Sequence, residues 1–133
     1  MLFRSYRPSA REPAPSSLLC VFVIAAASAE EAERLSASIA LRRLNMDYGV
    51  NAPVPNHEEA HAYPYTEADR RRIAHHRRRI VLGTPAAVRD QLLALREAFD
   101  ADELMAITIT GDYGSRMKSY ELLADVFALK PDA

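Results

Sequence analysis

The side chains able to do chemistry are concentrated in a few stretches. His57-Glu58-Glu59-Ala60-His61 spells HExxH, a spacing that sets two imidazoles one helical turn apart for zinc and leaves Glu58 as a general base. That chemistry needs a rigid helix. Here Pro53-Val54-Pro55 precedes the motif and Tyr63-Pro64 follows it, which leaves room for barely one turn. Pro64 and Glu67 stand where the extended zinc pattern requires Gly and a third His. His75, His76 and Glu97 are each candidates for a third ligand, and nothing in the spacing selects one. The expectation is a polar loop, with no metal ligand assigned.

Arg70-Arg71-Arg72 and His75-His76-Arg77-Arg78-Arg79 concentrate eight basic or titratable groups on one predicted helix. Such a helix can hold phosphate, nucleic acid or an acidic partner. No aromatic residue interleaves with the arginines, so base stacking lacks its platform. The arginine stems are expected along Ile73 and Ile80, with the charges in solvent. Cys20, inside an apolar run, reads as a small core residue rather than a nucleophile. Tyr63 and Tyr65 read as loop anchors; lining a substrate pocket is the sharper alternative.

These groups must be positioned by regular elements. Leu18 to Ala26 is apolar at every position, the pattern of a strand buried on both faces. Ser28 with Glu31 opens a helix whose face is Ala32, Leu35 and Ile39, running to about Leu44. Residues 45–65 hold Gly49, Pro53, Pro55 and Pro64 and read as a long loop, a possible lid. Thr66 with Asp69 opens a second helix through Arg79. Thr84-Pro85 opens a third, striped by Val88, Leu92, Leu95 and Phe99.

Glu103 to Thr110 alternates, so Met105, Ile107 and Ile109 are expected against helices, with Thr108 and Thr110 on the opposite face. Asp112 or Ser115 opens a closing helix with Tyr120, Leu123, Ala124 and Phe127 inward. The chain is thus a single segment: an extended lead-in over 1–17, strand and helix over 18–44, the loop over 45–65, and two helices, strand and closing helix over 66–133. Alternating strands and helices imply parallel β/α units. Two parallel strands alone leave both edges open and make too thin a sheet.

Composition narrows the class. The 17 Lys+Arg and 18 Asp+Glu give a net charge of −1, and 49% of residues are hydrophobic. That excludes a disordered tail and gives no overall case for a nucleic-acid or membrane-surface protein. No apolar run reaches the roughly 18 residues of a membrane span. Residues 1–11 lead into a Pro- and Ser-bearing stretch rather than an apolar one, so no signal peptide is read. The lone cysteine fits a reducing cytoplasm. A complete eightfold β/α barrel takes about 250 residues, well beyond this chain.

Several stretches, in order, resemble the C-terminal portion of bacterial luciferase-like flavin-dependent monooxygenases. Tyr6-Arg7-Pro8-Ser9 resembles the arginine-rich lead into the seventh barrel strand. Ala29-Glu30-Glu31-Ala32-Glu33-Arg34-Leu35 resembles the helix start after that strand. Leu82-Gly83-Thr84-Pro85 resembles the turn opening the helix before the last strand, and Ala101-Asp102-Glu103-Leu104-Met105 the entry to that strand. Asp112, Arg116 and Ser119-Tyr120-Glu121-Leu122-Leu123-Ala124 resemble the closing helix.

The resemblance implies an α/β fold, the last two β/α units of a TIM-type (β/α)8 barrel and incomplete alone. It implies reduced flavin (FMN or a deazaflavin), molecular oxygen and a small organic substrate such as an aldehyde. Most flavin contacts would come from the absent first six strands. In this chain no catalytic residue is assigned, no cofactor is expected for the chain alone, and Thr108 and Thr110 are the candidate cofactor-binding residues. The sequence departs from the family at Gly111, where bulkier or polar residues, often His, are usual. Expected partners are the missing N-terminal barrel portion or a second copy, with no membrane. The alternatives are a non-catalytic remnant or oligomerising module and, behind them, nucleic-acid or phosphate binding through Arg70–Arg79 or zinc at His57 and His61.

Overall fold

The apolar run Leu18–Ala25 forms β1, the central strand of a parallel sheet ordered β2-β1-β3. Around it the chain runs through α1 (Ala29–Asp47), α2 (His57–Ala62), α3 (Glu67–Arg77), β2 (Ile80–Gly83), α4 (Pro85–Phe99), β3 (Glu103–Ile107) and α5 (Tyr113–Val126). This computed structural model describes residues 5–130; residues 1–4 of the expected lead-in and 131–133 of the closing segment lie outside the described residues. The described lead-in holds no helix or strand, and its end is tied to β3: the Ser17 N–H donates to Asp102 Oδ2 at 2.7 Å.

Sequence patterning predicts two strands, and the described residues form three. Ile80-Val81-Leu82-Gly83 is too short to show a period, and it adjoins the strong helix start at Thr84-Pro85. All four of its residues are buried, and Ile80 pairs with Phe22. That pairing ends α3 at Arg77, two residues before the expected stop. The caps behave as the sequence implies. Ser28 accepts the Glu31 N–H, Thr66 and Asp69 form a reciprocal capping box, Thr84 with Pro85 opens α4, and Asp112 caps α5.

Helices cover both faces of the sheet. Val21, Val23, Ala25 and Val81 pack with Val88 and Leu92 of α4 and Leu123 of α5. On the other face Ile24, Ile80 and Leu82 pack with Ala32, Leu35 and Ile39 of α1. Alternation in β3 defines two faces without saying which one meets the helices; Ile109 packs on the α1 layer as expected, while the placement of Met105 is reversed. Ala106 is the register partner of Val21 and shares its face, so Leu104 and Ala106 meet the α4–α5 layer. Met105, register partner of Cys20, is 47% exposed.

Cys20 is likewise exposed rather than in the core, and Leu18 is 50% exposed. α1 covers only the C-terminal half of its face of β1. The N-terminal half of that face is apolar and open.

The expected loop over 45–65 is partly helical. α1 runs on to Asp47, and Asn56 opens α2 with a capping box: its Oδ1 accepts the Glu59 N–H and the Glu59 carboxylate accepts the Asn56 N–H, both at 2.8 Å. Within 45–65, irregular backbone is limited to residues 48–56, between α1 and α2, and 63–65, after α2. Ala60 then packs on Leu41 and Leu44, with Tyr63, Tyr65 and Ile73 around them. Among the described residues no helix is long and apolar enough to cross a membrane.

Candidate functional site

In open parallel α/β sheets, ligand chemistry gathers beyond the C-terminal ends of the strands. Here that end lies between the loops leaving β1 and β3, and both candidate threonines stand in it. Thr108 is fully buried: its Oγ1 donates to the Val23 carbonyl at 2.8 Å and lies 3.3 Å from Ser119 Oγ. Its N–H donates to the Tyr120 hydroxyl at 3.1 Å, a bond that lowers the Tyr120 pKa. Ser119 Oγ in turn accepts the Ala25 N–H at 2.9 Å. Thr110 donates to the Asp112 carbonyl at 2.8 Å.

The hydroxyls therefore knit β1, the end of β3 and α5 together, and both threonine protons go to protein carbonyls. Ser119 is the residue that pattern reading missed in this role. Its signal is a small hydroxyl on the stripe that continues to Leu123, placed where β1 leaves the sheet and a backbone donor needs a partner.

Asp112 closes this end of the molecule. Its carboxylate accepts the Ser115 N–H at 2.7 Å and the Ser115 hydroxyl at 2.6 Å, and these bonds hold its pKa below the ordinary value.

Gly111, the departure noted in the sequence, has a physical reason. A Cβ there would fall 2.5 Å from Ser38 Oγ, 2.9 Å from the His57 nitrogen and 3.0 Å from the Asn56 carbonyl carbon. The start of α2 thus lies directly against the loop after β3. A bulky side chain at 111 and this seat for α2 exclude one another.

The HExxH pair sits on α2, six residues long, with ring centroids 5.1 Å apart. Among the described residues no group of three or more His, Cys, Asp or Glu is arranged to hold a metal. Burial, then the nearby Arg34, lowers the His57 pKa, and its Nδ1 is buried without a protein partner.

The basic helix is α3, and much of its charge is used within the molecule. Arg77 pairs with Glu33 at 2.9 Å and donates to the Ile80 carbonyl at 3.1 Å; His76 lies 2.6 Å from Asp47. Arg72 and Arg70 lie over the rings of Tyr48 and Tyr65 at 5.3 and 5.9 Å. Asp69 is buried and accepts from the Tyr48 hydroxyl at 2.5 Å, the bond that contributes most to lowering its pKa.

No family model matches the sequence. The chain is 42% identical over 123 residues to the uncharacterized protein YceB of Bacillus subtilis, covering 92% of this chain and 37% of that protein. To YwcH, also uncharacterized and from Bacillus subtilis, it is 35% identical, covering 94% of this chain and 38% of the relative. A luciferase-like monooxygenase of Escherichia coli is 29% identical over 126 residues, again 94% of this chain and 38% of the relative. Among solved structures, apo-MsnO8 superposes with a TM-score of 0.76 at 30% identity, covering 96% of this chain and 39% of that one. The chain thus spans under two-fifths of the length of each of these relatives.

Proposed function

We propose that the chain is the C-terminal portion of a luciferase-like monooxygenase, an oxidoreductase whose reaction is completed by a preceding barrel portion. Similarity along nearly the whole chain to a protein so named supports the family and the oxidoreductase class. The observation that carries the incomplete-barrel reading is the open half-face of the sheet. Among the described residues Leu18, Cys20 and Met105 lie beyond the half that α1 covers, on one side of β1 and β3 with no element over them, while α4 and α5 cover the opposite side. In a β/α barrel the helices form the outer layer and the inner face is filled by side chains from the other strands. β1 and β3 are then the last two barrel strands, and their parallel register from Leu18↔Glu103 to Phe22↔Ile107 fits neighbours in a barrel wall.

On this reading the complete enzyme uses reduced FMN with molecular oxygen on a small organic substrate, or a deazaflavin as a hydride donor. Reduced FMN would supply the two electrons needed for one oxygen atom to enter the substrate and the other to leave as water. We expect little flavin contact from this chain's own residues. Thr108 is enclosed, both threonine hydroxyls donate to backbone carbonyls, and Asp112, the carboxylate beside them, is an α5 cap that would repel a phosphate. Most cofactor contacts would then come from the preceding portion, with Thr108 and Thr110 bordering it. What this chain supplies is a wall of the barrel and, through α2 seated on Gly111, a cover over the C-terminal end of the sheet. Such a cover suits a site that must keep water from a reactive oxygen species.

Complementation tests the proposal. The chain is mixed with the portion of YceB outside the similar region, and oxygen uptake is followed with reduced FMN and an aldehyde. The expected result is a stable complex with substrate-dependent uptake that neither part gives alone. Flavin fluorescence should be unchanged by the chain alone. Micromolar FMN binding by the isolated chain, or a complex without uptake, would oppose the reading. Self-association with no affinity for the complement would favour an oligomerising module.

A further inference from the structure

We infer that the cleft between α1, α2 and α3 is a binding site for a small aromatic carboxylate, apart from the C-terminal end of the sheet and independent of the flavin reading. The cleft has a volume of about 650 Å³, inside the roughly 300–1,000 Å³ of small-molecule sites. Its floor is built from alanines, Ala37 and Ala40 of α1, Ala60 of α2 and Ala74 of α3. Side chains that small leave open the space that larger ones would fill.

One wall is aromatic. The Tyr63 and Tyr65 rings stand 4.9 Å apart with planes 55° to one another. The Tyr65 hydroxyl donates to the Ala60 carbonyl at 2.8 Å, which fixes its ring against the floor. Rings so placed offer a flat apolar ligand both face and edge contacts.

Charge at the mouth selects the ligand's head. Of the charged groups that line the cleft, Glu33 is offset by Arg77 at 2.9 Å, and His76 is engaged by Asp47, outside it, at 2.6 Å. Arg70 lines the same cleft, lies 5.9 Å from the Tyr65 ring centre, and makes no ion pair among the described residues. Beyond the Tyr65 ring its guanidinium has no carboxylate partner among those residues, and the His61 imidazole also lines the cleft. A guanidinium fork matches a carboxylate with two parallel hydrogen bonds. A neutral aromatic would leave that fork unused.

The test is calorimetric titration of the 133-residue chain with naphthalene-2-carboxylate and, separately, with the neutral 2-naphthylmethanol. One-site binding of the carboxylate is expected, at least tenfold tighter than the alcohol. Arg70→Gln should weaken the carboxylate about tenfold and leave the alcohol unchanged. Ala40→Leu should abolish both by filling the floor. If Ala40→Leu fails to fold, Arg70→Gln decides alone, since Arg70 is a surface side chain. Equal affinity for acid and alcohol, no effect of Arg70→Gln, or no saturable binding would each overturn the site.

Discussion

The two halves of β1 differ. From Val23 onward every residue is buried: α4 and α5 lie on one side, α1 on the other, and Ser119 satisfies the Ala25 N–H where the strand leaves the sheet. Before Val21 only one side is covered, and Leu18 and Cys20 face out beside Met105. Composition does not distinguish them, since both halves are apolar. Burial of a strand is decided by what packs on it, and an apolar run buried on one face marks where something else belongs.

The largest expected contrast comes from trimming one residue in each half. Leu92→Ala, under the covered half, should cost about 2–5 kcal/mol of stability through the cavity it leaves. Met105→Ser, on the open half-face, should change the isolated chain by no more than about 0.5 kcal/mol. Urea unfolding of both variants makes the comparison. A cost for Met105→Ser near that of Leu92→Ala would mean the half-face is covered in solution.

The polar network of the covered half gives the next effect. Ser119→Ala leaves the Ala25 N–H buried without an acceptor and should cost about 1–3 kcal/mol. Thr110→Val, which removes a bond to an exposed cap residue, should cost less than Ser119→Ala when both are unfolded in urea. The reverse order would place the structural anchor at Thr110.

Gly111→Ala tests the seat of α2. A Cβ closer than 3.0 Å to Ser38 Oγ and the His57 nitrogen forces α2 to shift, at about 1–3 kcal/mol. Faster hydrogen exchange should be confined to α2 and its flanks. Unchanged exchange there would show that α2 does not rest on Gly111.

The smallest effect is acid sensitivity. Asp69 and Asp112 have folded pKa values held down by hydrogen bonds, from Tyr48 first and Ser115 first respectively. Both carboxylates are favoured ionised in the folded chain. Their stabilisation is present above the unfolded aspartate value of about 4 and is lost as pH falls through the folded values. Stability should decline below about pH 4, and Asp112→Asn should shallow that decline. An identical slope in the variant would remove Asp112 from the account.

What the sequence shows by itself follows these same physics. Ser28, Thr66, Thr84 and Asp112 each announce a helix start because a cap is a local bond between residues two or three apart. β1 and β3 are legible because an apolar run or an alternation needs only its own residues. β2 is not, because four apolar residues have no period and become a strand only by pairing with Phe22–Ala25. The face of β3 is likewise a tertiary fact: alternation separates Thr108 from Ile109, and only α4 and α5 decide that Thr108 turns into the core. α2 is legible in principle, since Asn56 and Glu59 spell a capping box, yet the surrounding prolines argue for loop more loudly. Cys20 misleads because an apolar neighbourhood in sequence is covered only when a partner element is present.

The central claim is that the open half-face receives the preceding part of a longer enzyme, and Cys20 reports on it directly. Its thiol is exposed in the chain, so iodoacetamide should alkylate it readily in the isolated protein. On addition of the complementary portion of YceB, alkylation should slow at least tenfold, because that portion closes over Leu18, Cys20 and Met105. A complex that forms while Cys20 reacts as fast as before would place the interface elsewhere and contradict the barrel reading.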